Sequence, residues 1–129
     1  MTDQFAALRF LIVDDSRSMR RIVRQFLQNK GVTRIAEAEN GQSALELARF
    51  QPLDIIISDL NMPVMDGMEF LKRIKADPGC RDIHFIMLTV EAVQKTMNQA
   101  LALGADAYIV KPVTEEQFVR EVKRVVNIS

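Results

Sequence analysis

The chain lacks most of the residues that would point to an oxidising compartment or a tightly held cofactor. It has one cysteine in 129 residues, which excludes an internal disulfide and a cysteine metal cluster. Cys80 lies in the turn-like segment DPGCRD and reads as incidental. The one histidine, His84, opens a strand-like run and reads as structural or solvated rather than as a ligand. Net charge is missing too, since 17 Lys and Arg balance 17 Asp and Glu. No general attraction to nucleic acid or to an anionic membrane is therefore implied. No apolar run approaches the roughly 20 residues that cross a bilayer. The first ten residues, MTDQFAALRF, lack the long apolar core of a signal peptide. Together these absences lead us to expect a cytoplasmic, monomeric protein that engages neither membrane nor nucleic acid. With four prolines and five glycines there is no linker, repeat or low-complexity stretch. The length suits one domain, residues 1–129, with a single core.

What is present is an alternation of apolar runs and helical patterns, repeated five times. The first run is RFLIVDDS, Arg9 to Ser16. A helix is expected from about Ser16 to Asn29, with Met19, Ile22, Val23, Phe26 and Leu27 on one face and Arg17, Arg20, Arg21 and Arg24 on the other. Lys30-Gly31 stops it. A short strand near Arg34 to Ala36 leads through Asn40-Gly41 into a second helix packed by Ala44, Leu45 and Ala48, and Pro52 separates that helix from the next run. That run, Ile55-Ile56-Ile57, is unalternating and β-branched, as in a strand buried on both faces. A third helix follows Asp66-Gly67, carries Met68, Leu71 and Ile74, and ends at Asp77-Pro78-Gly79. The fourth strand is read over His84 to Ala92 and its helix from about Ala92 to Leu103, stopping at Gly104. The fifth strand is read over Asp106 to Val113. Thr114, Glu116 and Gln117 then begin a helix that packs through Phe118, Val122, Val125 and Val126. Five such βα units predict an α/β fold: a flavodoxin-like, doubly wound, five-stranded parallel sheet of order 2-1-3-4-5 with five helices.

In that topology ligands bind beyond the carboxyl ends of the strands, at the switch point between strands 1 and 3. Asp14, Asp15 and Asp59 would meet there. Three converging carboxylates repel one another, and a hard divalent cation relieves the repulsion. Mg²⁺ takes oxygen ligands, keeps several waters and is typically shared between carboxylates and a phosphate. The carbonyl of Asn61, two residues beyond Asp59, is a further candidate ligand. A carboxylate beside such a metal can act as a nucleophile and accept a phosphoryl group. Lys111, ending the fifth strand, supplies a compact cation, and Thr89, ending the fourth, supplies a hydroxyl. Phosphoryl transfer needs little beyond this positioning and charge stabilisation. Met62, Met65 and Met68 read as loop and core packing around the site. Tyr108 reads, from its residue type and strand position alone, as a half-buried aromatic with its hydroxyl in water.

The motifs DD after the first strand, D-x-N-M-P-x-M-D-G after the third, T-x-E-A after the fourth and Y-x-V-K-P after the fifth resemble those of response-regulator receiver domains, especially chemotaxis regulators of the CheY kind. The likeness spans nearly the whole chain, and four motifs in order, each in its strand context, are far more specific than any one. It implies that Asp59 is the phosphoacceptor and that Asp15, Asp59 and the Asn61 carbonyl hold Mg²⁺, with Asp14 assisting. It further implies that Thr89 and Lys111 contact the phosphoryl group, and that Tyr108 swings inward with Thr89 on activation. The implied donors are a histidine kinase or a histidine phosphotransfer domain. The implied output is protein contact through the fourth helix, fifth strand and fifth helix, with a flagellar-motor switch component as the expected target. A stand-alone regulator is expected, an enzyme only toward its own phosphorylation and dephosphorylation. Leu60, Ser16, Val113 and Val90 depart from the chemotaxis pattern; the first three replace common aromatics. Asn61 and Glu91 match residues that orient a hydrolytic water, so the resemblance implies a phosphoryl lifetime of seconds to minutes. Val90 pulls the other way by narrowing the approach, but orientation by Asn61 and Glu91 is expected to win, with Val90 pointing away from the in-line path. The alternative output is a phosphorelay shuttle or phosphate sink exchanging with a histidine phosphotransfer domain. Rival classes are a phosphohydrolase, a flavin-binding protein and a phosphorylation-independent interaction module. Asn61 stands where the first commonly has a second acid, no Ser/Thr/Gly-rich loop follows the first strand to serve the second, and the full chemistry set argues against the third.

Overall fold

The computed structural model describes residues 3–128. Met1, Thr2 and Ser129, the ends of the expected 1–129 span, lie outside the described residues. The elements alternate as β1 (Arg9–Val13), α1 (Arg17–Gln28), β2 (Arg34–Ala38), α2 (Gly41–Phe50), β3 (Ile55–Ser58), α3 (Gly67–Ala76), β4 (His84–Thr89), α4 (Gln94–Ala102), β5 (Ala107–Val110) and α5 (Glu115–Val125). The strands form one sheet of order β2-β1-β3-β4-β5, and every pair is parallel. This is the doubly wound topology that the alternation predicts.

Successive side chains on a strand point to opposite faces, and the core divides accordingly. Leu11, Val13, Ile56, Phe85 and Met87 meet Ala44, Leu45, Ala48, Phe70, Leu71, Ile74 and Ala100 from α2, α3 and α4. Phe10, Ile12, Ile55, Ile57, Ile86 and Leu88 meet Val23, Leu27, Phe118, Val119 and Val122 from α1 and α5. β3 is buried at every residue, which is why its run reads as unalternating. Each fully buried large apolar side chain contributes about 1.5–3 kcal/mol. Among the described residues no helix is long and apolar enough to cross a membrane.

Local chemistry sets the helix starts. Ser16, Asn40 and Asp66 each accept a backbone hydrogen bond in the first turn of α1, α2 and α3, from Met19, Ser43 and Glu69. Thr114 and Gln117 form a reciprocal capping box on α5. The helix stops at Gly31 and Gly104 take positive φ, +86° and +110°, where glycine has no steric cost.

Several expectations need correction. β1 ends at Val13 and β4 at Thr89, so Asp14 and Asp15 on one, and Val90 to Ala92 on the other, are loop. β5 covers Ala107–Val110 only, whereas β2 runs on to Ala38 because its whole length pairs with β1. α4 starts at Gln94 rather than Ala92, with Val93 offering no side-chain cap. On α3 the packed face is Gly67, Phe70, Leu71 and Ile74, and Met68 is half-buried on the flank. Phe70 stacks on Phe85 with ring centroids 5.5 Å apart. Ile22 is 45% exposed, because α1 rests on the sheet through Val23 and Leu27. Cys80 is not incidental: it is buried in the α2–α3 side of the core, and its thiol donates to the Ala48 carbonyl.

Candidate functional site

Four neighbouring strands end at the same edge of the sheet, and each delivers a polar residue there: Asp14 after β1, Asp59 after β3, Thr89 at the end of β4 and Lys111 after β5. The strands hold these residues through their backbones. The Asp14 N–H donates to Ala38 O at 3.1 Å, the Asp59 N–H to Val13 O at 2.8 Å, and the Lys111 N–H to Thr89 O at 2.8 Å. Parallel pairing thus continues one residue past β1, β3 and β5, and it aligns the residues that follow. The Lys111–Pro112 peptide is cis.

The side chains form a cleft rather than a buried network. Lys111 Nζ lies 2.9 Å from Asp14 Oδ2 and 3.7 Å from Asp59 Oδ2, with side-chain exposures of 11%, 8% and 13%. The remaining oxygens are held by backbone. The Ser16 N–H donates to Asp14 Oδ1 at 2.9 Å and the Leu60 N–H to Asp59 Oδ1 at 2.7 Å. Asp15 is exposed. One oxygen from each of Asp14, Asp15 and Asp59 lies within 4.8 Å of the others. Three carboxyl groups gathered beside one ammonium leave the cleft with surplus negative charge. An all-oxygen, partly open donor set with surplus negative charge fits a hard divalent cation such as Mg²⁺. Asn61 is exposed in the following loop.

That loop approaches the strand end closely. The Gly67 N–H donates to Leu60 O at 2.7 Å, and a Cβ on Gly67 would sit 2.1 Å from Asp59 O. The Gly41 N–H donates to Met65 O at 2.9 Å. Met65 is buried, and Met62 and Met68 pack half-buried against the same core. Between them Met65 N–H donates to Pro63 O at 2.7 Å, closing a three-residue turn around Val64 at φ +69°. A β-branched residue in that region is strained.

On the other side, Thr89 is fully buried, and its Oγ1 accepts from the Glu91 N–H at 3.3 Å. The Tyr108 hydroxyl donates to the carbonyl of the same Glu91 at 2.8 Å. The reading of Tyr108 with its hydroxyl in water is therefore wrong, because the β4–α4 loop folds back to meet it. Burial, with the Glu91 and Asp59 charges adding to it, pushes the Tyr108 phenol above its ordinary pKa. Val90, between them in sequence, is 70% exposed. It lines a groove with Met19, Ile22, Phe26, Pro112 and Val113, beside Lys111.

Sequence reasoning missed Glu37 and Ser58, both next to the site. Arg20 and Arg24, placed by helical spacing on the outer face of α1 with Arg17 and Arg21, both turn to Glu37 on β2, at 2.9 and 2.7 Å. Burial pushes the Glu37 carboxyl up, but the hydrogen bonds and charges of Arg24 and Arg20 outweigh it and hold it below the usual carboxylate range. Arg17 and Arg21 are exposed. Ser58, also missed, is fully buried and donates to Asp59 O at 2.8 Å. The one available signal was a glutamate on a strand beside an arginine-rich helix, and it says nothing about which arginine pairs.

The model of the response regulator receiver domain matches residues 10–123. The chain belongs to this family. Among curated relatives, the chemotaxis protein CheY of Pseudomonas aeruginosa is 33% identical over 118 residues, covering 92% of this chain and 95% of the relative. The chemotaxis protein CheY-3 of Vibrio cholerae is 38% identical over 107 residues, covering 83% and 82%. Among solved structures, CheY4 of Vibrio cholerae superposes with a TM-score of 0.85 at 36% identity, over 92% of this chain and 98% of that one. The receiver domain of a Pseudomonas aeruginosa sensor histidine kinase, solved with a magnesium ion coordinated in its active-site cleft, gives a TM-score of 0.85 at 26% identity, over 95% and 99%. The protein is thus a CheY-like receiver of the two-component type, a signalling regulator, and its acidic cleft is of the kind in which receiver domains bind Mg²⁺.

Proposed function

We propose that Asp59 of this receiver domain accepts a phosphoryl group from a phosphohistidine of a kinase or histidine phosphotransfer domain. The carrying observation is the cleft itself: a carboxylate at a strand end, 3.7 Å from Lys111 and within 4.8 Å of the oxygens of two further aspartates. An Asp59 oxygen attacks phosphorus, the P–O bond forms as the P–N bond breaks, and the histidine, carrying a proton on its other ring nitrogen, leaves as neutral imidazole. Asp14, Asp15, Asp59 and the Asn61 carbonyl would hold Mg²⁺, which when bound neutralises charge on the phosphoryl oxygens. Lys111 stabilises that charge from the β5 side, and the Thr89 hydroxyl donates to a phosphoryl oxygen. The exposed Arg17 and Arg21 steer an acidic donor surface to the edge of the cleft.

Output follows from the link between Thr89 and Tyr108. Both bond the Glu91 backbone, so a pull on Thr89 changes what holds Tyr108 and hence the α4–β5–α5 face. Phosphorylation biases an existing equilibrium between two arrangements of that face. The likeness to chemotaxis proteins supports a flagellar-motor switch component as target. Asn61 and Glu91 orient the water that ends the signal, giving a lifetime of seconds to minutes, and exposed Val90 affects it little.

The test is incubation with a small phosphodonor and Mg²⁺, read by mass spectrometry. One base-labile adduct per chain is expected, absent in Asp59→Asn and absent in excess chelator. Full modification in chelator, an adduct on Asp59→Asn, or sustained turnover of the donor beyond the decay of that adduct would defeat the reading. Binding of the phosphorylated form to a motor switch protein, against back-transfer to a histidine phosphotransfer domain, separates motor control from a relay.

A further inference from the structure

The Asp14 main chain is held from the β2 side by a side chain outside the cleft. Arg20, one turn into α1, donates from Nη1 to the Asp14 carbonyl and from Nε to Glu37 Oε1 at 2.9 Å. Its side chain is only 13% exposed. Glu37 is itself fixed: its second oxygen accepts from Arg24 Nε at 2.7 Å, and Arg24 Nη2 reaches Ile35 O at 3.2 Å. Arg20 is therefore not a mobile surface cation but a planar fork locked at both ends.

The bond it makes falls on the peptide joining Asp14 to Asp15. A peptide unit is planar and stiff, so holding its oxygen fixes the direction in which the chain delivers Asp15. Asp14 needs no such help, because its N–H and both carboxylate oxygens are bonded to Ala38, Ser16 and Lys111. Asp15 is exposed, and this peptide plane governs where its carboxylate enters the trio. We infer that Arg20, oriented by Glu37, is a positioning residue for the metal site: it sets Mg²⁺ affinity by fixing the Asp14–Asp15 peptide. The inference rests on the reading of Asp14, Asp15 and Asp59 as metal ligands.

Sign separates this role from a simple charge effect. A cation beside a metal site repels the metal, so by Coulomb's law alone removing Arg20 tightens binding; by positioning, removing it weakens binding. Groups that orient metal ligands are typically worth tenfold or more in affinity. The experiment is calorimetric titration of the unphosphorylated full chain with MgCl₂, with urea unfolding in chelator measured alongside. Arg20→Lys, which keeps the charge and loses the fork, is expected to raise the Kd about tenfold. Arg20→Met is expected to weaken binding despite losing a positive charge. Glu37→Asp, which keeps the charge and shortens the reach to Arg20, gives a smaller shift in the same direction and serves if an Arg20 variant fails to fold. The Mg²⁺ concentration for half-maximal Asp59 phosphorylation moves with the Kd. Lower stability with Mg²⁺ affinity unchanged in Arg20→Lys and Glu37→Asp, or tighter binding by Arg20→Met, overturns the inference and leaves the metal reading intact. Wild-type protein that binds no Mg²⁺ overturns both.

Discussion

The two edges of the sheet carry similar residues in opposite states. At the amino-terminal edge Arg9 and Asp54 form a closed pair: Nε and Nη2 each lie 3.0 Å from a carboxylate oxygen, and the Arg9 N–H adds a third bond at 2.7 Å. His84 and Asp106 stand 3.5 Å apart on the same edge. At the carboxyl-terminal edge three carboxylates gather beside one lysine, which pairs with two of them, Asp14 and Asp59. The first arrangement satisfies its charges and ties β1 to the loop before β3. The second leaves an excess that only a ligand removes. The difference separates electrostatics that hold a fold from electrostatics that recognise something, and recognition sites commonly sacrifice stability.

That contrast can be broken in four places. The largest effect is expected at the loop sealing the cleft. Gly67→Ala places a carbon 2.1 Å from Asp59 O, and backbone cannot yield as a flexible side chain does. A loss of about 3 kcal/mol in urea unfolding is expected, the upper range for overpacking; a loss below about 0.5 kcal/mol would mean the loop is not locked to the strand end. Next comes Asp15→Asn. In chelator it is expected to raise stability by up to about 1 kcal/mol, the size of one like-charge contact near 4 Å in water, and to abolish the stabilisation that Mg²⁺ gives wild type. Unchanged stability in chelator would show that the carboxylates do not strain one another. Third, Val64→Gly relieves the positive φ of an exposed β-branched residue. A gain of about 0.5 kcal/mol is expected, since relieved strain is offset by the freedom glycine brings to the unfolded chain; a loss would show that strain is absent there.

The smallest effect belongs to the closed pair. Hydrogen bonds from Arg9, against the opposing effect of burial, hold the Asp54 carboxyl below the usual range. A depressed pKa contributes stability above the unfolded value, about 3.9, and that contribution is lost as pH falls through the lower folded value. Asp54→Asn should therefore lower the urea midpoint slightly at pH 7, the pair being partly exposed. The gap from wild type should close in acid. A gap that does not narrow as the pH falls would assign the loss to packing rather than charge.

The order of elements, the parallel sheet and the placing of the cleft residues were legible in the sequence. Those features rest on local or topological rules: unbroken apolar runs alternating with helical periods, caps such as Asn40 and Asp66, and a switch point where the order of a doubly wound sheet reverses. The sequence could not place Glu37 against Arg20 and Arg24, because four arginines at helical spacing look alike until a neighbouring strand selects two of them. Nor could it find the Tyr108 bond to the Glu91 carbonyl, since backbone groups leave no mark on side-chain pattern. It read Cys80 as incidental because a turn-like segment hides the fact that the turn folds under α2. Element ends such as β4 at Thr89 also escaped, since apolar composition continues into Val90 after the pairing partner has gone. Propensity and period act along the chain and are written in it. Pairing across elements depends on how far apart two surfaces come to rest, and only the packed sheet and helices decide that distance.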